Sequence, residues 1–305
     1  MARFLLSFST ILILTCAAIS QRTAPARAIM VISEPSASVW VDGVLYGKTS
    51  ADGRLEIKSI SPGVKTLRLR ADGFKEKSQP LAAAAKGAIT VPLTATTEAG
   101  ELKFQEAERL AGIDREKAAA AYEEAIKLRP NYAPAYISLA RVESARNEFD
   151  KAQAVLNRLK KVSPRNAEAS AVEGRMLSEG GEEDKAIAAF KRAIIEGRGF
   201  QPEAYTGLGL LYKGRAEASD PDSDEQAANY AEATKNLRVA LKQLGTAPDA
   251  PIIYQFLGLN LEKQKKYAEA IAIYQEFLRR FPDTPEAESV RSFIVQLRKQ
   301  MNGEQ

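Results

Sequence analysis

The stretch "DKAIAAFKRAI" at Asp184–Ile194 decides how this chain is to be read, because close variants of it stand at Asp150–Lys160 ("DKAQAVLNRLK") and Ala268–Leu278 ("AEAIAIYQEFL"). In each, apolar residues return every three or four positions, the pattern of a helix with one buried face. Ala118, Ala152 and Ala186 fall 34 residues apart, and Pro130 and Pro164 keep the same interval. A fixed period of this length signals stacked copies of one small unit, each unable to bury its apolar face alone.

Outward from the phrase, the helix preceding it in each unit carries a small residue, at Ala140, Gly174, Gly209 and Gly258. Tyr136, Tyr205 and Tyr254 stand a turn earlier in three of the four. Small residues let two backbones approach while large ones at the next turn interlock. This helix–turn–helix period, with these sizes at these offsets, resembles the tetratricopeptide repeat (TPR). The resemblance covers a solenoid over 101–283, with five repeats expected at roughly 101–130, 133–164, 167–198, 202–245 and 251–282. The first has a shortened turn around Gly112–Asp114, and the fourth carries an insertion between Tyr212 and Tyr230. Over 284–301, Val290, Phe293, Ile294, Leu297 and Met301 share one helical face, with Arg291, Arg298 and Lys299 outside that stripe. That one-sided pattern predicts a helix capping the stack.

The resemblance implies a binding protein whose concave surface, built from the first helices, holds an extended peptide or a partner helix. Counting from Ala133, Ala167, Pro202 and Pro251, the groove-facing positions include Ile137, Arg141, Arg175, Thr206, Leu210, Lys213, Gln255 and Leu259. Arg141 and Arg175 occupy the same repeat position, and two adjacent guanidiniums suit a partner bearing acidic groups. The competing reading is a solvated pair beside Glu143 and Glu173. On either reading neither arginine is needed for helix packing. The Lys and Asn pattern of repeats that clamp a terminal carboxylate is not present.

The insertion places Asp220, Asp222 and Asp224 at alternating positions, like the start of a calcium loop. Glu225 stands where that loop requires Gly, and Ala231 where it requires the closing Glu, so a solvated acidic loop is expected and no metal is assigned.

Before the repeats the period changes. "AIMVIS", "SVWVDG", "RLEIKSI", "KTLRLRADG" and "AITVPL" are short β-rich runs separated by Asp42-Gly43, Asp52-Gly53, Pro62-Gly63 and Asp72-Gly73, dipeptides suited to tight turns. A small antiparallel β-sandwich over 28–94 follows, joined by a linker at 95–100. Pro35, Ala37, Val39, Val41-Asp42-Gly43, Gly47-Lys48-Thr49, Pro62-Gly63 and Gly73-Phe74 make this unit resemble the PEGA domain, a surface-associated β-sandwich module of bacterial proteins. The fold class is therefore α+β in two domains, a β-sandwich followed by an all-α superhelical solenoid. Local hairpins on one side and neighbour-only stacking on the other predict that the two fold separately.

Residues 1–20 have the layout of a signal peptide: Arg3, an apolar stretch from Phe4 to Ala18, and Ala18-Ile19-Ser20 before Gln21. Export to the periplasm or beyond is expected. "ILTC" loosely resembles a lipoprotein box, but Thr15 departs from it, so lipid anchoring at Cys16 is the lesser reading.

Composition narrows the chemistry. The 305 residues contain no histidine and one cysteine, Cys16, which removes the common neutral-pH base, zinc ligand and thiol nucleophile from the mature chain. The formal charge of +4 is spread without a basic block, so nucleic acid is not an expected partner. No phosphate loop or nucleophile elbow is present, and no cofactor is expected. The sequence thus favours a non-catalytic scaffold that binds another envelope protein or peptide. The alternative is a cell-wall or surface-glycan binder acting through the PEGA-like domain, with the repeats as spacer; Trp40 and Tyr46, which flank the Asp42-Gly43 turn, would offer it aromatic faces, against the competing reading of Trp40 as an ordinary strand residue.

Overall fold

A computed structural model describes residues 27–61 and 63–303. The signal segment 1–20, Cys16 and Pro62 lie outside the described residues.

The strand-rich unit opens with β1 (Arg27–Ile32), β2 (Ser38–Val41), β3 (Val44–Lys48), β4 (Arg54–Ile60) and β5 (Lys65–Arg70). It continues with β6 (Phe74–Lys75), β7 (Lys77–Leu81), β8 (Gly87–Thr90) and β9 (Thr94–Ala95). These form a three-stranded sheet β4-β1-β8, a four-stranded sheet β3-β2-β5-β7 and a two-stranded ribbon β6-β9. Alternation along the strands sends Ile29 and Val31, Val39 and Val41, and Leu67 and Leu69 into one shared apolar cluster. The antiparallel expectation needs one correction: β8 runs parallel to β1, pairing Ile29 with Gly87 through Ile32 with Thr90.

Asp42 and Gly43 both have positive φ, 49° and 82°, and Val41 pairs with Val44 across them. That is the two-residue hairpin whose twist matches its strands, and it is why Asp-Gly is found there. Asp42 is further fixed by the Thr66 N–H, which donates to its Oδ1 at 2.7 Å, and by Lys65 Nζ at 2.9 Å.

The helices follow as hairpins: α1 (Ala99–Leu110) with α2 (Arg115–Leu128), α3 (Ala133–Ala145) with α4 (Phe149–Val162), and α5 (Ala167–Glu179) with α6 (Glu183–Glu196). Then come α7 (Pro202–Ala218) with α8 (Asp224–Leu244), α9 (Ala250–Lys263) with α10 (Tyr267–Arg280), and a closing α11 (Ala287–Asn302). Among the described residues none of the helices is long and apolar enough to cross a membrane. The small residues do what their size suggested. A β-carbon on Gly174 would stand 2.6 Å from the Phe190 ring, on Gly209 2.7 Å from Leu237, and on Gly258 2.2 Å from Tyr274.

Two local expectations change. The insertion in the fourth unit is mostly helix: α7 runs to Ala218, and Ser223 caps α8 by accepting from Gln226 N at 3.1 Å, leaving a turn of 219–223. Asp224 and Glu225 lie in the first turn of α8, where the helix dipole favours negative charge. On α11, Val290, Ile294 and Leu297 are buried, whereas Phe293 and Met301 remain exposed.

The strand-rich unit does not stand apart from the solenoid. The segment between β9 and α1 is only 96–98, and Thr96 N donates to Gly73 O at 2.9 Å. Gln105 of α1 reaches back: its Oε1 accepts from Gly73 N and its Nε2 donates to Phe74 O, both at 2.8 Å. Arg70 lies buried with its guanidinium 4.4 Å from the Phe104 ring centre and makes ion pairs with Glu76 at 2.5 Å and Glu108 at 3.4 Å. At the far end, Tyr46 donates to Leu244 O at 3.1 Å, Thr246 Oγ donates to Ser59 O at 3.2 Å, and Val44 joins the apolar cluster of Leu237, Leu241, Leu244 and Ile253. The unit therefore braces the solenoid from its first hairpin to its fourth and fifth.

Candidate functional site

Between the brace and the first helices lies a cleft of about 1030 Å³. One wall is the β2–β3 hairpin, through Trp40, Asp42, Gly43, Val44 and Leu45. The other is built from α3, α5, α7 and α9 and the turns that precede them.

Four of the eight residues expected in the groove meet there: Arg141, Arg175, Thr206 and Leu210. The other four do not line it. Ile137 is buried in the core of the first three hairpins, because α3 turns that position towards α2 and α4. Lys213, a turn beyond Leu210, pairs along its own helix with Glu217 at 2.6 Å. Gln255 and Leu259 sit on α9 outside the lining, which α9 supplies instead through Ile252, Ile253 and Phe256.

The arginine pair is partly exposed and already holds carboxylates of its own chain. Glu203, in the first turn of α7, accepts from Arg141 NH1 at 3.1 Å and NH2 at 2.6 Å, and lies 3.5 Å from Arg175 NH1. Glu168 adds a 3.5 Å contact to Arg141, and Glu179 a 3.8 Å contact to Arg175. Burial opposes the charge on Arg141, but Glu203 and Glu168 raise its affinity for its proton above the ordinary value. Arg175 moves the other way: burial and the neighbouring Arg141 charge lower it, and Glu203 with Glu179 compensate only in part. Glu143 and Glu173, expected beside the pair, are buried elsewhere, Glu143 with Arg146 at 2.9 Å and Glu173 with Arg192 at 2.5 Å and Lys160 at 3.0 Å.

The aromatic residues singled out on the hairpin are also engaged. The Trp40 ring has Arg68 at 4.5 Å and Arg70 at 5.2 Å from its centre, a cation–π arrangement that covers its face. Tyr46 spends its hydroxyl on the Leu244 carbonyl. Both side chains thus have partners within the protein and are partly covered, and Trp40 also lines the cleft.

Sequence reasoning missed Glu203, the apolar contribution of Leu45, Ile252 and Phe256, and the hairpin wall as a whole. Glu203 follows Pro202 at a helix start, where an acid is ordinary, so nothing local marks it.

Helix hairpins stacked through close glycine contacts, with a cleft on their inner side, define a helical-repeat solenoid. Residues 111–176 and 257–284 each match a family described as tetratricopeptide repeat, so the chain carries tetratricopeptide repeats. Among solved structures, yeast Tom70 is similar with a TM-score of 0.55 and 19% identity over 67% of this chain and 40% of its own. PilF of Pseudomonas aeruginosa is similar with a TM-score of 0.50 and 18% identity over 67% of this chain and 90% of its own. The Cut9–Hcn1 hetero-tetramer of the APC/C gives 0.50 and 14% over 67% of this chain and 37% of that one. At these identities the likeness shows the fold alone, and the match spans less than half of the Tom70 chain. No curated protein matches the sequence.

Proposed function

We propose that this protein is an exported, non-catalytic scaffold of the bacterial envelope that holds a partner protein or peptide on the concave face of its repeats. The observation that carries the reading is the convergence of Arg141, Arg175, Thr206 and Leu210, from three successive first helices, on one cleft. Concave surfaces of stacked repeats are binding surfaces in this architecture. Export rests on the signal-like layout of residues 1–20, and the strand-rich unit is read as PEGA-like from its Asp42-Gly43 hairpin and the shared core of its two sheets.

Site-specific photo-crosslinking in the native envelope tests the reading. A photoreactive side chain at Thr206 is expected to give discrete protein adducts that the same group at exposed Lys191, on a second helix, does not give. Equal labelling from both positions, or none from Thr206, overturns it.

A further inference from the structure

We infer that the ligand of this cleft is an extended peptide segment with two alternating apolar side chains and a neighbouring basic one, gripped between the β2–β3 hairpin and the solenoid. The inference rests on the concave-face reading and specifies what that face takes.

Three exposed apolar side chains from three separate elements line the one cleft: Leu45 of β3 at 42% exposure, Leu210 of α7 at 38% and Ile252 of α9 at 44%. Exposed leucines scattered singly need no explanation, but three converging on one concave site mark a place where apolar surface is to be covered. Leu45 is held there by its neighbours in sequence. Val44 is locked in the apolar cluster of α8 and α9, and Tyr46 is bonded to the Leu244 carbonyl, so the hairpin is a fixed wall.

The shape of the cleft selects the form of the segment. A helix of one or two turns has little stability of its own and would present side chains all round, whereas the cleft offers two opposed walls. An extended chain advances about 3.3 Å per residue and alternates its side chains between two faces, which suits two opposed walls. In addition, β3 is the outermost strand of its sheet, so one side of its backbone has no strand beside it.

Charge selects the flanking residue. The lining holds five carboxylates against three guanidiniums. Arg141 and Arg175 are outnumbered by Glu168, Glu179 and Glu203, and Asp42 is met by Lys65. Two charges remain without an ion pair among the described residues: Arg165, before α5, and Asp249, before α9. With Lys65 counted, the carboxylates still exceed the cations by one, and Asp249, three residues before Ile252 at the start of α9, is the carboxylate without an ion pair for an incoming cation to meet.

The test pans a phage library of random linear twelve-residue peptides on the full mature chain. Enriched sequences are then measured as fluorescein-labelled peptides by anisotropy. Enrichment of an apolar-x-apolar pattern with Lys or Arg close by is expected, with affinity falling at least tenfold on Leu45→Asp and several-fold on the milder Leu45→Ser. Asp249→Lys should reverse the preference between a selected peptide and its Lys-to-Glu counterpart. Circular dichroism melts of the variants should match the parent, since the side chains changed are exposed. Peptides that need Leu210 but ignore both Leu45 variants would keep the concave-face reading and overturn the two-walled cleft. An acidic consensus overturns the charge assignment, and no enrichment over an uncoated surface overturns both.

Discussion

Arg141 of α3 and Glu203 of α7 form a two-pronged ion pair, at 2.6 and 3.1 Å, although 62 residues and a whole helix hairpin separate them in sequence. The superhelix is wound tightly enough that a repeat touches the next but one on the inner side. Repeat position alone makes Arg141 dispensable for packing, whereas its bonds to Glu203 tie α3 to α7. Arg141→Glu would set a carboxylate against Glu203 and Glu168, so it is expected to lower unfolding free energy by about 1–3 kcal/mol. Urea unfolding measures this, and a double-mutant cycle with Glu203→Gln should show coupling well above zero. An additive cycle would mean the pair contributes nothing.

Two glycines give a matched contrast. Replacing Gly by Ala in a helix gains about 1 kcal/mol of propensity, whereas overpacking a core costs about 1–3 kcal/mol. Gly258 faces the buried Tyr274 ring, which a new β-carbon would approach to 2.2 Å, so there the packing cost wins. Gly214 has nothing within 4 Å of the same position, so there the propensity gain wins. Gly258→Ala should lower the melting temperature and Gly214→Ala raise it slightly.

Gln105 joins the two units by satisfying the Gly73 N–H and the Phe74 carbonyl. Gln105→Ala leaves both backbone groups without their partners at a largely buried seam, a cost of about 1–3 kcal/mol. Native-state hydrogen exchange should show faster exchange at Gly73, while amides of α9 and α10 keep their protection.

The Tyr46 hydroxyl is pushed up to about 12 by burial, with the Asp42 charge adding to it. A raised folded-state pKa contributes stability that is complete below the unfolded value near 10 and is lost as pH rises towards 12. The advantage of the parent over Tyr46→Phe should therefore be constant from pH 7 to about 9. It should then shrink between about 10 and 12, by up to about 1.4 kcal/mol per unit. A gap that stays constant through that range would show that Tyr46 ionises as easily in the folded protein as in the unfolded chain.

What was legible in the sequence was whatever is local or periodic. The spacing of Ala118, Ala152 and Ala186 gave the hairpins, the small residues gave the contacts of Gly174 with Phe190 and Gly258 with Tyr274, and the shared repeat position of Arg141 and Arg175 gave their adjacency. Asp42-Gly43 marked its hairpin because few other residues tolerate positive φ twice in a row. The rest depends on how far a superhelix curls, which no window of residues encodes. Glu203 meets Arg141 only through that curvature. Tyr46 reads as an aromatic beside a turn, and a ring prepared for a ligand and one prepared for a neighbouring unit look alike until the neighbour is in place.

Repeat solenoids are open springs: each unit touches its neighbours, so the ends can fray, the pitch can stretch, and unfolding can proceed unit by unit. The bonds of Arg70 to Glu108 and of Tyr46 to Leu244 string a rigid body across this spring, as a cord is strung across a bow. The Tyr46–Leu244 bond closes a loop of 198 residues, a non-local link of the kind that slows folding and binds distant parts into one transition. A strung bow holds one curvature. The spacing between the cleft walls is then a property of the whole chain, and loosening the cord at Gln105 or Tyr46 would change the shape of the binding surface without touching it.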